Sequence, residues 1–226
     1  MYTIEKNRNK LIHNQPTFFL DPKEQAELKK KLKKESYQIY KPYKDSEKNI
    51  FFTTTPPNVT LYEIKSKIPL EHREILGTIF SLNISSELFG DIIITNNHYY
   101  IYVLSQIAPY IKNNLITIKN STVELEEVPL VTSKDYQKEY ETIQIISSSN
   151  RIDTVIARLI KTSRTNIIEK IKSKEIILNY DILKKNSYLL KENDVFSIRR
   201  HGKYQYLGIT KETKSKNYII TIKKYK

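Results

Sequence analysis

Between residues 58 and 130 the chain alternates between two hydrophobic patterns, and their order restricts the folds it can adopt. Short apolar runs rich in β-branched and aromatic residues are typical of strands, whereas apolar residues three and four positions apart are typical of helices. In chain order we predict a strand at Val59–Ile64, a helix at Leu70–Leu82, strands at Asp91–Thr95 and Tyr99–Val103 joined by a hairpin at Asn96-Asn97-His98, a helix at Ser105–Asn114 that Pro109 shortens or kinks, and strands at Leu115–Ile118 and Thr122–Glu126.

The resulting order, βαββαβ, is that of the ferredoxin-like fold, which includes the RNA-recognition-motif (RRM) domains. RRM domains stack bases on aromatic side chains of their first and third strands, and the third strand carries a Gly-aromatic signature. The rings available here are Tyr62, Tyr99, Tyr100 and Tyr102, but that signature is absent and residues 66–145 carry a net charge of −4. We therefore expect this section to act as a scaffold or a protein contact.

We predict an α+β protein of three domains, residues 1–57, 58–145 and 146–226. The first is a small α/β domain, the second is RRM-like, and the third is a basic module of two helices on a small sheet. In the first domain, Asp21 as N-cap, Pro22 and Glu24 predict the start of a helix. The other elements predicted there are a helix at Glu5–Asn14 and strands at Tyr37–Tyr40 and Ile50–Thr54, before a boundary at Pro56-Pro57.

Positive charge is concentrated in the last third of the chain. Residues 1–65 carry a net charge of +5, whereas residues 146–226 carry +12. Five of the seven arginines lie between Arg151 and Arg200. Because a guanidinium group binds a phosphate through two parallel hydrogen bonds and also stacks on bases, this distribution predicts a domain that faces RNA. The lysine run Lys29–Lys34 is more typical of a solvated helix face.

The basic module begins with a predicted helix at Arg151–Lys161. At about 100° per residue, its aliphatic side chains group on one face. The opposite face then carries Arg151, Thr154, Arg158 and Lys161. Ser163 is a natural N-cap for a second helix, and Arg164 would occupy its first position, where free N–H groups attract phosphate.

Two strands, Glu175–Leu178 and Asp194–Arg199, and a pairing of Tyr204–Ile209 with Tyr218–Lys223 are predicted to form the sheet behind these helices. Tyr204, Tyr206 and His201 could stack on RNA. The residues that we predict to bind RNA are Arg151, Arg158, Lys161, Ser163, Arg164, Lys170, Lys172, Lys174, Arg199, Arg200, Lys203 and Tyr204. Phosphate contacts of this kind position a protein on RNA without reading its sequence.

Four blocks in this module carry a family resemblance: Arg151-Ile152-Asp153, Ser163-Arg164, Ile176-Ile177-Leu178-Asn179 and Asn193-Asp194-Val195-Phe196-Ser197. Together they resemble the S-four RNA-binding domain, named for a ribosomal protein. The resemblance implies paired helices that dock on structured ribosomal or transfer RNA, with phosphate contacts at Arg151, Ser163, Arg164 and around Lys172 and Lys174. It also implies that Asp153 orients its neighbours. Lys174 or its neighbour, and Asn193, stand where the domain usually has glycines.

The resemblance extends along most of the chain. Its further blocks are Phe19-Leu20-Asp21-Pro22-Lys23-Glu24, His72-Arg73-Glu74-Ile75-Leu76-Gly77, Phe89-Gly90-Asp91-Ile92 and Arg199-Arg200-His201-Gly202-Lys203-Tyr204, with a partial block around Tyr43, Glu47 and Lys48. In this order they resemble the YlmH family of bacterial S-four-domain proteins. Membership implies a ribosome-associated role, and some members act in quality control on large subunits that still hold an unfinished chain on transfer RNA.

Nothing in the sequence indicates catalysis, and we predict no catalytic residue, no metal and no cofactor. His72-Arg73-Glu74 is the most enzyme-like group, but it lacks a nucleophile or a second metal ligand at suitable spacing. The chain also lacks the large sheet domain of pseudouridine synthases and the nucleotide fold of tyrosyl-tRNA synthetases, two enzymes that carry S-four domains. With no cysteine, no apolar leader and no membrane-length apolar run, we expect a cytoplasmic protein.

Two functions remain open at this point. In the first, the protein is a monomeric, non-enzymatic factor of ribosome-associated quality control that binds ribosomal RNA of the large subunit, with or without a transfer RNA. In the second, it is an adaptor whose acidic middle domain recruits a protein partner, and its RNA contact is incidental. Charge reversal on the basic module would abolish ribosome binding only in the first case.

Overall fold

The computed structural model describes residues 2–32, 36–133, 136 and 140–225. The chain divides into two compact units, residues 1–137 (unit 1) and residues 138–226 (unit 2). Each unit combines helices with antiparallel sheets, which confirms the predicted α+β class.

Unit 1 contains four helices and seven strands among its described residues. In chain order they are α1 (Tyr2–Ile12), α2 (Pro22–Leu32), β1 (Gln38–Tyr40), β2 (Ile50–Phe52), β3 (Val59–Ser66), α3 (His72–Ser81), β4 (Phe89–Thr95), β5 (His98–Leu104), α4 (Ala108–Asn114), β6 (Thr117–Ile118) and β7 (Ser121–Val128). Short 3-10 turns lie at Ser86–Leu88, Ser105–Ile107 and Leu130–Ser133.

Unit 2 packs two helices against a six-stranded sheet. Its elements are β8 (Tyr140–Ser147), α5 (Ile152–Leu159), α6 (Arg164–Lys172), β9 (Ile176–Leu178), β10 (Asp181–Ile182), β11 (Val195–Ile198), β12 (Gly202–Glu212) and β13 (Tyr218–Tyr225). The sheet order is β10-β9-β11-β12-β13-β8, and every neighbouring pair is antiparallel. The predicted pairing of β12 with β13 is therefore confirmed.

Strand β8 crosses the domain boundary that the sequence predicts at residue 145. It pairs with β13 along its full length, from Tyr140 opposite Tyr225 to Ser147 opposite Tyr218. The local sequence does not predict β8. Its partner, β13, lies more than seventy residues further along the chain. Likewise the predicted boundary at residue 57 falls inside unit 1, where the first segment packs against the sheet that follows it.

The larger sheet of unit 1 has the strand order β4-β5-β3-β7-β6, and its βαββαβ run places α3 and α4 on one face. Ile75 and Ile79 of α3 and Ile111 of α4 are fully buried against that face. The α-helix is shorter than the range predicted from Ser105, which is one of the two predicted effects of Pro109, and it is not kinked. Pro109 lies in the first turn of α4, where its missing N–H would have no partner within the helix. The 3-10 turn Ser105–Ile107 precedes the helix instead.

The opposite face of this sheet is covered by the first segment of the chain. Phe19, Tyr43 and Ile50 pack there with strand residues that include Leu61 and Tyr102. The tyrosine rings that an RRM domain would present to bases are therefore buried, whichever face of the sheet they lie on. Tyr62, Tyr99, Tyr100 and Tyr102 are 2%, 3%, 8% and 0% exposed, respectively. This burial agrees with the expectation that the section does not stack bases.

Hydrogen bonds in a partly buried polar cluster join the first segment to β4. Asp91 accepts hydrogen bonds from the hydroxyl of Tyr43 and the amide of Glu47, both at 2.7 Å. The ammonium of Lys48 donates to the carbonyls of Ser86 at 2.6 Å and Phe89 at 2.9 Å. Desolvation lowers the pKa of Lys48 to about 8 even though nearby carboxylates oppose this shift. Blocks that are distant in sequence therefore meet here as packing residues.

Several local predictions are confirmed by the backbone and its hydrogen bonds. Asn96 and Asn97 have φ values of 47° and 62°, as a two-residue hairpin turn between Thr95 and His98 requires. Asp21 and Glu24 form the predicted capping box, with the amide of Glu24 at 2.8 Å from Asp21 Oδ1 and the amide of Asp21 at 3.0 Å from Glu24 Oε2.

The lysine run on α2 interacts mainly with its own unit. Lys31 pairs with Glu5 at 2.5 Å, and Lys29 lies 5.7 Å from the ring centroid of Phe51. Lys30 is exposed. Lys33 and Lys34 lie outside the described residues. The described part of the run therefore has the character of a solvated helix face.

We expect Gly90→Ala to destabilise unit 1 by about 1–3 kcal/mol, the usual cost of overpacking a core. A Cβ atom at Gly90 would lie 2.9 Å from Phe19 Cε1 and 3.1 Å from Tyr102 Cβ, so the first segment would have to move away from the sheet. Urea unfolding followed by circular dichroism measures the change.

Gly77→Ala is the matched control. Gly77 lies on α3 and a Cβ atom there meets nothing within 4 Å, so we expect a stability gain of up to about 1 kcal/mol from helix propensity. Equal behaviour of the two variants would contradict the role assigned to Gly90.

Candidate nucleic-acid interface

Helix α5 separates an apolar face from a basic one. Ile152, Val155 and Ile156 are fully buried, whereas Arg158 is exposed on the other side. Lys161, just beyond the helix, is also exposed and has a φ of 53°. Thr154 departs from the predicted arrangement, because only 6% of it is exposed. The remaining polar face is narrow and cationic.

Helix α6 begins as the sequence predicts. Ser163 is the N-cap, and its hydroxyl accepts a hydrogen bond from the amide of Asn166 at 3.1 Å. Arg164 is the first helical residue, and its side chain is 54% exposed. The start of α6 therefore combines unsatisfied N–H groups with a guanidinium, which together favour an anion.

The carboxylate of Asp153 joins the starts of the two helices. Arg151 donates to it from Nε at 3.2 Å and from Nη2 at 2.9 Å, and Arg164 donates from Nη2 at 2.9 Å. Burial of this carboxylate raises its pKa, but the two guanidinium groups outweigh that effect and bring the pKa to about 2. Asp153 is fully buried, whereas the side chains of Arg151 and Arg164 are 34% and 54% exposed.

This pairing changes the predicted role of the two arginines. They are not independent phosphate ligands, because one carboxylate neutralises part of their charge. Each guanidinium nevertheless has five N–H donors, and Asp153 uses only some of them. The remaining donors are held in a fixed orientation, which agrees with the orienting role that the resemblance implies for Asp153.

A surface cavity brings several of the predicted residues together. Its volume is about 440 Å³. Its lining residues are Ser148, Thr154, Ala157, Arg158, Lys161, Thr162 and Arg164. This set contains three cations and no carboxylate, together with hydroxyl groups that can donate hydrogen bonds. Ser148 and Thr162 were not predicted, since the sequence shows no pattern that links them to the two helices.

A second basic group surrounds Glu175, just before β9. Lys170 pairs with this carboxylate at 2.9 Å, so part of its charge is compensated within the unit. The hydrogen bond from Lys170 lowers the pKa of Glu175, and the charges of Arg199 and Arg200 lower it further. Arg199 and Arg200 are exposed and therefore remain open to an anion.

Lys172 and Lys174 are exposed at the end of α6. Lys174 has a φ of 58° and Asn193 a φ of 69°, so both occupy the left-handed region. The resemblance to the S-four domain puts glycines at Lys174 or its neighbour and at Asn193. Both residues therefore have a backbone conformation that favours glycine, at the conformational cost that a non-glycine residue bears there.

Tyr204 is a core residue, which corrects its predicted place in the RNA-binding set. It is 4% exposed, its ring stacks on Phe196 at 5.5 Å, and its hydroxyl donates to the carbonyl of His201 at 2.8 Å. Tyr206, two residues further along β12, is 2% exposed. Alternate residues of a strand face the same side, and this period-two pattern was the available signal that both rings point inward.

Lys203 lies on the other side of the same strand. Its ammonium is 5.0 Å from the ring centroid of Tyr180 and 5.4 Å from that of Tyr225. Neither ring was predicted to contribute. Two aromatic faces next to one cation restrict the lysine side chain and leave it only partly exposed.

The enzyme-like group His72-Arg73-Glu74 begins α3. Glu74 forms a capping box with Glu71, and Arg73 pairs with Glu71 at 2.7 Å. His72 and Arg73 are exposed. Over the described residues, no three His, Cys, Asp or Glu side chains are grouped so that they could hold a metal ion. Within the same described ranges, no helix is long and apolar enough to cross a bilayer.

We expect Asp153→Asn to lower the stability of the protein by about 2 kcal/mol, because hydrogen bonds to a charged partner are lost. The folded pKa of Asp153 is below its unfolded value, so its stabilising contribution is complete above about pH 4 and disappears as the pH falls to about 2. The stability difference between wild type and variant should therefore narrow from pH 5 to pH 2.

Unfolding in urea at several pH values, with hydrogen exchange of residues 138–226 as a local readout, measures this difference. Glu212→Gln, at an exposed strand position, is the control and should give no such pH-dependent gap. A gap of constant size across this pH range would contradict the proposed ionisation of Asp153.

Comparisons with known proteins find similarity to one family over part of the chain. Residues 58–132 match the family model described as "Putative RNA-binding domain in YlmH". A curated relative, the "Ribosome-associated protein quality control protein P2" of Bacillus subtilis (strain 168), is 24% identical over 163 residues, which are 70% of this chain and 62% of the relative. The match thus spans less than two thirds of the length of that relative.

A solved structure described as "Cell division protein ylmH from Streptococcus pneumoniae" is 21% identical, covers 59% of this chain and 91% of its own, and has a TM-score of 0.49. The family-model match lies on the middle sheet and its two helices, and the curated relative extends over most of the chain. From these two matches, this chain is similar to the YlmH family, most specifically through residues 58–132.

Proposed function

We propose that this protein is a non-enzymatic RNA-binding factor that docks on structured ribosomal RNA through unit 2. The observation that carries the proposal is the cavity at the start of α6, which Arg158, Lys161 and Arg164 line and no carboxylate residue does. Of these three cations, Arg164 is the one that pairs with the buried Asp153. All three residues lie on or next to short helices that pack on a sheet, so the cations are presented from rigid elements. Such an arrangement favours RNA of defined shape over loose electrostatic adhesion.

The finer proposal is a role on the large ribosomal subunit. The family model that matches is described as RNA-binding, and the curated relative is named as a ribosome-associated quality control protein. We infer that this chain acts in the same process, in the cytoplasm, on large subunits that hold an unfinished chain. A transfer RNA on such a subunit offers a second phosphate surface to the exposed residues Arg199 and Arg200.

The middle section contributes a scaffold in this proposal. Its RRM-like sheet has one face against α3 and α4 and the other against the first segment, so its aromatic residues have no free face for bases. Any RNA contact of residues 58–132 would have to use edges, loops or helix surfaces. A fold by itself does not determine function, and the sheet face that other RRM domains use is occupied here.

The enclosed sheet and the acidic charge of the middle section also support a second candidate function. In this alternative the protein is an adaptor, its middle section recruits a protein partner, and RNA binding by unit 2 is incidental. The two functions differ in whether ribosome binding depends on the cavity of unit 2.

We expect the double variant Arg158→Glu/Lys161→Glu to lose co-sedimentation with large ribosomal subunits. Both side chains are exposed and neither takes part in the Asp153 ion pairs, so the fold should be retained. If the two residues contact one phosphate each, the log–log salt slope of RNA binding becomes shallower by about 1.5, at roughly 0.7–0.9 per phosphate. Gradient sedimentation and fluorescence anisotropy at several salt concentrations measure the two effects.

Lys211→Glu/Lys214→Glu is the matched control, because it makes the same change in net charge at exposed positions in and after β12. It should retain most of the binding. Equal loss in both double variants would indicate nonspecific attraction to a polyanion. Unchanged co-sedimentation of Arg158→Glu/Lys161→Glu would instead support the adaptor.

A further inference from the structure

Helix α1 of unit 1 gathers polar side chains on one of its faces. Successive helical residues are rotated by about 100°, so Lys6, Asn9, Lys10 and His13 fall within an arc of roughly 100°. They line a surface cavity of ≈ 390 Å³ together with Glu5 and Gln15. This cavity belongs to no part of the proposed function, which concerns unit 2.

Two lysines in this cavity converge on a single aromatic ring. The ammonium groups of Lys6 and Lys10 lie 4.4 Å and 4.7 Å from the ring centroid of Phe18. The amide of Phe18 donates to Asn7 Oδ1 at 2.9 Å, and Asn7 is fully buried in the same helix. Phe18 is therefore attached to α1, and the two cations share a defined place above it.

The carboxylates around this cavity do not balance its cations. Glu87 pairs with Lys6 at 3.1 Å. Glu5 pairs with Lys31 at 2.5 Å and with Arg8 at 3.3 Å, so it is already shared by two other cations. Lys6 and Lys10 thus have Glu87 as their neighbouring carboxylate, and the group as a whole keeps an excess of positive charge.

The convergence of Lys6 and Lys10 has an electrostatic cost. Burial lowers the pKa of Lys10, and repulsion from the nearby ammonium of Lys6 lowers it further, although Glu87 opposes this effect. An anion placed between the two ammonium groups would relieve the repulsion. The same cavity presents the side chains of Asn9, His13 and Gln15, which can donate hydrogen bonds to it.

We propose that the cavity formed by Lys6, Asn9, Lys10 and His13 binds a phosphate group. Lysine serves as a point-charge ligand of phosphate, and the amide groups of Asn9 and Gln15 suit its further oxygens. The side chains that line the cavity offer more donors than the two oxygens of a carboxylate would use. The phosphate comes either from an RNA backbone, as a contact additional to those of unit 2, or from a free phosphorylated molecule.

Lysine footprinting of the intact protein tests this site. The protein is treated briefly with an acetylating reagent, alone, with a structured RNA hairpin, or with sodium pyrophosphate, and the modified lysines are quantified by mass spectrometry. We expect the ligand to slow acetylation of Lys6 and Lys10 by about threefold or more. An ion pair with phosphate holds each side chain as an ammonium group, whereas the reagent attacks the free amine. Lys67 and Lys112, both exposed in unit 1, are internal controls that should not change.

The two probes distinguish the sources of the phosphate. Protection by pyrophosphate at low concentration supports a site for a free phosphorylated molecule, whereas protection by RNA alone supports a backbone contact. In the second case Lys6→Gln/Lys10→Gln should weaken RNA binding several-fold at low salt and make its salt slope shallower, whereas Lys67→Gln/Lys112→Gln should not.

The same experiment separates this inference from the proposed function. RNA that protects Lys161 and Lys172 but leaves Lys6 and Lys10 unchanged, with no effect of pyrophosphate, overturns the α1 site and leaves RNA binding by unit 2 intact. Protection of Lys6 and Lys10 without protection of Lys161 and Lys172 supports the α1 site and counts against unit 2. An acidic peptide serves as a further probe in the same experiment. If it protects Lys6 and Lys10 while RNA and pyrophosphate do not, the phosphate assignment is overturned.

Discussion

A carboxylate without solvent access, held between two guanidinium groups, connects the helices of unit 2. Asp153 lies in the first turn of α5, Arg151 precedes that helix, and Arg164 begins α6. Removing a carboxylate from water is costly, and a buried ion pair adds little net stability compared with an apolar contact. Removal of one partner is strongly destabilising, because it leaves a buried charge uncompensated. The arrangement therefore determines geometry more than total stability.

This geometry has consequences for the surface next to it. Because Arg164 is held through Asp153, the start of α6 presents its remaining donors in one orientation beside Arg158 and Lys161. A rigid set of donors loses less conformational entropy when it binds a phosphate than flexible lysines would. In the proposed function, these oriented donors would offset the loss of free charge that the ion pairs with Asp153 cause.

In unit 1, residues from several of the sequence blocks that carry the family resemblance pack against one another. Phe19 and Gly90 belong to different blocks, and they touch so closely that an added methyl group would clash. Tyr43, from a third block, donates to Asp91. These contacts place the first segment over the sheet and enclose the tyrosines. The residues that carry the resemblance in this part of the chain therefore pack the first segment onto the sheet.

What the sequence by itself determined was local: the turn at Asn96 and Asn97, the caps at Asp21 and Ser163, and the order of elements between residues 58 and 130. These features depend on neighbouring residues and backbone preferences, which a linear pattern contains. Only the tertiary structure decided that Asp153 binds Arg164 as well as Arg151, and that β8 completes the sheet of unit 2. The Arg164–Asp153 pair and the β8–β13 pairing join positions eleven or more residues apart, and their partners are chosen by packing that no local pattern encodes.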